Sequence, residues 1–139
     1  MDLSNKQYVA IVQCDIVMER CSGFLCEMAL KERSGGFAAF PPEQPLRHLM
    51  LTCGGCCGRA LQRKLIHLCH QLEKREGIGR DKLVVQLSTC ITKSSFHGPA
   101  CPHLDYLKTL VERLHLDLLE DTRIVGLSQE RRDSGEYDD

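Results

Sequence analysis

Three short apolar runs in this chain each stop at a cysteine: YVAIVQC over 8–14, LRHLMLTC over 46–53 and KLVVQLSTC over 82–90. Apolar runs of this length that are rich in β-branched residues read as strands. The segments between them change period. CSGFLCEMALKER (21–33) carries Leu25, Met28 and Ala29 at helical spacing, and Leu61, Leu65, Leu68 and Leu72 form a stripe with Arg63, Lys64 and Lys74 off it. A third helix is expected from Pro102, which suits a first helical position, with Leu104, Leu107, Val111, Leu114 and Leu118 as its buried face. RIVGLS (123–128) reads as a last strand. SGGFAAFPPEQP (34–45), EGIGRD (76–81) and ITKSSFHGPAC (91–101) are the connections.

Strands alternating with helices define an α/β fold. The expectation is a small, doubly wound, Rossmann-like, mostly parallel four-stranded sheet, order about 2-1-3-4, with helices on both faces. The 139 residues suit one domain, set at 1–128, with QERRDSGEYDD (129–139) as a polar, disordered tail.

Parallel strands all end on one edge, so Cys14, Cys53 and Cys90 are expected on a common rim. Neighbouring strands lie about 4.8 Å apart, within reach of a shared point. The loops leaving that rim add Cys21 and Cys26 after the first strand, Cys56 and Cys57 after the second, and Cys101 with His103 after the third. Eight of the nine cysteines thereby fall at one end of the sheet. A lone cysteine is usually a small buried hydrophobe, but burial by itself gives no reason for clustering. The ninth, in HLCH (67–70), borders the leucine stripe and reads as core, with His67 and His70 solvated. His97 sits on a loop as a weaker ligand candidate.

Composition narrows the function. There are 18 basic and 19 acidic residues, so no basic excess points to nucleic acid or to an anionic membrane. Aromatics are 5%, too few for a base-stacking platform. No apolar run approaches the ~20 residues of a membrane span. MDLSNKQYVAIVQC has Asp2 and Gln13 where a secretory signal needs a basic start and an unbroken apolar stretch, so a cytoplasmic protein is expected. That compartment keeps thiols reduced, which turns an odd count of nine cysteines away from a disulfide framework and towards metal or redox chemistry. Nothing resembles a serine or carboxylate hydrolase, and GGCCGR lacks the Lys-Ser/Thr ending of a phosphate loop. Catalytic residues are not assigned; an enzyme here would be a thiol-redox or metal-dependent one.

Cys53-Gly-Gly-Cys56 has the spacing with which two sulfurs grip one tetrahedral ion. Its glycines allow left-handed backbone angles and free peptide N–H groups to stabilise thiolate, as does the helix that follows. The same description fits a redox pair, Cys53 with Cys56. Cys57 reads equally as ligand, resolving thiol or packing. Because one zinc takes four ligands, the rim set of Cys14, Cys21, Cys26, Cys53, Cys56, Cys90, Cys101 and His103 must divide. Two zinc ions, an iron–sulfur cluster, or one ion plus a redox pair would each divide it. Zinc is the expected cofactor, with an iron–sulfur cluster or none as alternatives, and the metal ion is the expected partner.

These motifs together resemble the CGGC-domain family of bacteria and archaea. The residues that carry the likeness are Cys14, Cys21-Ser-Gly-Phe-Leu-Cys26, Gly36-Phe37, Cys53-Gly-Gly-Cys56, Cys90-Ile-Thr-Lys93 and Cys101-Pro-His103, across about positions 8–128. The resemblance implies a metal-binding domain, with zinc suggested by its cysteines and histidines. In that family a proline commonly follows both the CGGC motif and the cysteine matched by Cys21. Here those positions are Cys57 and Ser22.

Overall fold

The unbroken apolar runs take the centre of the sheet. In the computed structural model, which describes residues 1–94 and 98–123, strands β1 (Tyr8–Gln13) and β3 (Leu83–Leu87) are buried along their whole length. The more polar run becomes edge strand β2 (Arg47–Thr52), exposed at Arg47, His48 and Leu49. All pairings are parallel and the order is β2-β1-β3-β4, with β4 at Asp117–Glu120. The expected α/β fold and strand order are thus met.

Helices cover both faces. Helix α2 (Ala60–Glu76) presents Leu61, Leu65, Cys69 and Leu72, and α4 (Leu104–Arg113) presents Leu107 and Val111, to Ala10, Val12, Val85 and Leu87. Helix α1 (Phe24–Glu32) packs Ala29 and Leu30 with Phe37 and Phe40 on Val9, Ile11 and Val84. Leucine and phenylalanine side chains buried this fully each contribute roughly 1.5–3 kcal/mol, so two independent apolar layers hold the sheet. Helix α2 ends at Gly77, whose positive φ of 67° lets its N–H reach Glu73 O while Ile78 N–H reaches Leu72 O.

The structure corrects several boundaries. The fourth strand is Asp117–Glu120, a stretch that the helical spacing assigned to the third helix; residues 124–128 of the expected strand, and the tail at 129–139, lie outside the described residues. Helix α4 ends at Arg113 and the chain turns at His115, φ 58°, with neither glycine nor proline to signal it. Leu118 then joins the core from a strand. Pro102 precedes α4 by one turn position, and Leu25 is exposed; Ala29 and Leu30 bury α1 instead. The third connection opens with a one-turn helix, α3 (Thr89–Thr92).

Candidate functional site

Register brings the thiols together. The last β1–β2 pair is Gln13 with Thr52, and Cys53 N–H donates to Gln13 O at 3.0 Å, so Cys14 and Cys53 leave the sheet side by side. Strand β3 ends level with Val12, and Ser88 N–H donates to Val12 O at 2.8 Å. Cys90 therefore sits on α3 rather than at the strand end, and it turns back to β1: the Cys14 N–H approaches Cys90 Sγ at 3.5 Å. This contact lies between β1 and β3, the strands from which the chain departs in opposite directions across the sheet, where open α/β sheets place their ligand crevice.

On the α2/α4 side, Cys14, Cys53, Cys56, Cys57, Cys101 and His103 line one cavity together with Asp15. About 20 Å³ of it is open to a water-sized body, enough for one water or one ion. Among the described residues no lysine or arginine lines it. On the α1 side, Cys21 accepts from Gly23 N–H at 3.4 Å, and Cys26 Sγ lies 3.2 Å from Thr122 Oγ1 and 3.9 Å from Ser88 Oγ. Cys101 accepts from His103 N–H at 3.4 Å. All nine cysteines are free thiols, Cys56 and Cys57 exposed and Cys53 and Cys69 buried. The Cys53/Cys56 pair is thus half inside the rim and half on its surface.

Several expectations about this site change. The CGGC glycines do adopt positive φ, 84° at Gly54 and 104° at Gly55, and a Cβ on Gly54 would stand 2.4 Å from the Ala60 Cβ. The Gly54 N–H does not carry the expected bond to sulfur but donates to Thr52 Oγ1 at 3.1 Å, and the Gly55 carbonyl accepts from Gly58 N–H. The N–H bonds to sulfur come from Gly23, Cys14 and His103. Cys57 is exposed, which removes packing as its role. Cys69 is core and His67 and His70 are exposed, as expected. His97 lies outside the described residues.

Burial pushes the Cys90 thiol up to about 12, despite the lowering effect of the Cys14 N–H, and negative charge on Cys26, Cys14 or Cys21 would push it further. Burial likewise raises Cys101, against the His103 N–H, with Cys14, Cys53 and Cys56 near enough to add to the shift. Desolvation is the main cause at both thiols, and it disfavours their charged form. As the side chains stand, no three His, Cys, Asp or Glu groups among the described residues are disposed to hold a metal ion. The donor set is soft and the cavity is ion-sized, so the residues fit a thiophilic metal in chemistry; gripping one requires the donors to move closer together than they stand.

Sequence reasoning missed the supports. Thr52 Oγ1 donates to Asp15 at 2.6 Å and accepts from Lys64 Nζ at 3.0 Å and from Gly54 N–H, pinning the CGGC loop to β1 and α2. Thr122, fully buried, faces Cys26 and exchanges bonds with Thr89. Thr52 follows the strand period that precedes the motif, but nothing in the sequence marks Thr122.

The geometry defines a class: a parallel α/β domain whose sheet carries thiols along its C-terminal edge. A family model for the CGGC domain matches residues 8–123, and the chain belongs to the CGGC-domain family. That membership points to metal binding. No curated protein and no solved structure matches the chain. No helix among the described residues is long and apolar enough to cross a membrane.

Proposed function

We propose that this domain binds a thiophilic metal ion, zinc before others, in exchangeable form at the thiol rim, as a metal carrier or sensor of the cytoplasm. The observation that carries the reading is the ion-sized cavity lined by five cysteines and His103, with no lysine or arginine among the described residues that line it. Zinc binds thiolate rather than thiol, and a divalent ion supplies the missing positive charge at the moment each proton leaves. The metal-binding chemistry lies with Cys14, Cys21, Cys26, Cys53, Cys56, Cys90, Cys101 and His103. Exchangeability is supported by the exposure of Cys56 and by two apolar cores made mainly of leucine, isoleucine, valine and phenylalanine, to which the rim adds the buried Cys53 and the flanking Cys14, Cys90 and Cys101. Structural zinc, by contrast, holds together domains that lack such cores.

A thiol–disulfide oxidoreductase needs a thiol of lowered pKa. Among the described residues no lysine or arginine lines the cavity beside Cys53 and Cys56, and burial raises the Cys90 and Cys101 thiols on the same rim, which favours the metal reading over the redox one. The test is elemental analysis of anaerobically purified protein with thiol counting. Zinc is expected in the wild type and in Cys69→Ser, with reduced content in Cys53→Ser and Cys90→Ser. Equal loss in all three variants, or metal-free protein with an isolable Cys53–Cys56 disulfide, would overturn it; brown protein with visible absorbance would replace zinc by an iron–sulfur cluster.

A further inference from the structure

Helix α2 carries a second stripe that the core does not use. Arg59, Gln62, Arg63 and Ile66 fall at i, i+3, i+4 and i+7, off the buried stripe of Leu61, Leu65, Cys69 and Leu72. All four line an open groove of about 700 Å³ that also takes in the exposed thiols of Cys56 and Cys57. A small molecule of peptide size needs a space of that order, roughly 300–1,000 Å³. The charge of the groove is one-sided. Arg59 and Arg63 are exposed, and no Asp or Glu among the described residues lines the groove with them. Neither guanidinium makes an ion pair or a side-chain hydrogen bond with a described residue. Lys64, by contrast, is bonded to Thr52, and Asp15 lines the inner cavity and accepts from Thr52 Oγ1. Ile66, 42% exposed, adds an apolar contact one turn beyond the arginines.

We propose that this groove binds a low-molecular-weight thiol carrying carboxylates, and that the disulfide form of that thiol modifies Cys57 as a mixed disulfide. The carboxylates meet Arg59 and Arg63 while the ligand's sulfur meets the exposed thiol that lines the same groove. Cys57 is the acceptor because the metal reading leaves it uncommitted, so it is available whether or not the rim is loaded. In the step, Cys57 gives its proton to solvent and the thiolate attacks one sulfur of the small disulfide. That sulfur–sulfur bond breaks as the Cys57–sulfur bond forms, and the departing half leaves as a thiolate and takes up a proton. Cys57 is oxidised, the departing half is reduced, and one disulfide is lost for one made. Two exposed ion pairs give only about a tenfold preference, so the arginines steer the ligand and the covalent bond retains it. Because Cys57 lines the inner cavity as well, the adduct stands at the entrance to the rim thiols.

The test uses the reduced, metal-free full chain mixed with oxidised glutathione, a disulfide that carries carboxylates. Hydroxyethyl disulfide and cystamine serve as neutral and cationic controls, each rate being divided by that of an unstructured cysteine peptide. Acid quenching at early times and peptide mass mapping locate the adduct. The expected first adduct is on Cys57, with oxidised glutathione favoured about tenfold over the neutral disulfide and cystamine disfavoured. Arg59→Gln combined with Arg63→Gln, or salt at about 1 M, should abolish that preference. A first adduct on Cys56 or on an inner thiol overturns the assignment to Cys57, and no adduct at any time overturns the modification. A preference that ignores both the arginines and the salt overturns the anion site. The salt series on wild type decides this even if the double variant folds poorly. Metal content is measured separately, so failure here leaves the metal reading standing.

Discussion

Burial of the Cys90 thiol makes a prediction about alkaline stability. In the metal-free protein its pKa stands at about 12 against an ordinary 9.0, so the folded state keeps the proton where the unfolded state gives it up. The sign follows: the contribution is fully present below pH 9 and is lost as pH rises from there towards 12. Each pH unit inside that window is worth about 1.4 kcal/mol, so the loss reaches about 2 kcal/mol at pH 10.5 and about 4 kcal/mol once the window is crossed. Urea unfolding of metal-free wild type and Cys90→Ser, under reductant and chelator between pH 7.5 and 10.5, isolates the effect. Lysines and tyrosines titrate in both proteins, and a constant offset between the two curves carries no information; only their divergence with pH does. Wild type should lose about 2 kcal/mol more than Cys90→Ser over that interval. Parallel curves to pH 10.5 would show that the Cys90 thiol ionises as if in water and would remove the physical basis for calling the rim a charge-averse setting.

Gly58→Ala should destabilise the fold by about 1–3 kcal/mol, read as a lower urea midpoint, because the position has φ 90° and a Cβ there would stand 2.4 Å from Leu107 Cδ2. Timed alkylation of metal-free protein with iodoacetamide, followed by peptide mass mapping, should modify Cys56 and Cys57 first and Cys69 last, following their exposure. Zinc should then protect Cys56 and leave Cys57 reactive; protection of both would return Cys57 to the ligand set.

The fold was legible wherever the apolar period was clean. Central strands β1 and β3 are mainly apolar, with Gln13 and Gln86 as buried exceptions, α2 is a four-leucine stripe closed by Gly77, and the crossover rule then orders the sheet. The fourth strand was misplaced for a definite reason. Leu107, Val111, Leu114 and Leu118 keep helical spacing straight through the turn at His115, and the competing two-residue alternation of Leu116 and Leu118 is too short to outweigh it. The gathering of Cys14, Cys53 and Cys90 at one edge follows from parallelism and was legible as well. How the thiols face each other was not. The return of Cys90 to Cys14 depends on α3, whose four residues carry no periodic signal, and the hydroxyl of Thr122 reaches Cys26 across 96 positions of chain.

What the rim lacks is as informative as what it holds. Arg59 and Arg63 line an open groove on the outer side of Cys56 and Cys57, while among the described residues the small cavity on the inner side has only Asp15 and His103 as ionisable residues beside its thiols. Lys64 is spent on Thr52. A domain built to activate one thiol for attack would bring such a cation inward, since a nearby positive charge is how a thiolate is stabilised without metal. Here Arg59 and Arg63 stand on the outer groove, and no lysine or arginine among the described residues lines the inner cavity. Among the described residues only Cys56 and Cys57 line both spaces. An ion reaching the inner thiols from the groove therefore passes these two first, which gives the exposed half of the CGGC motif a reason to be exposed.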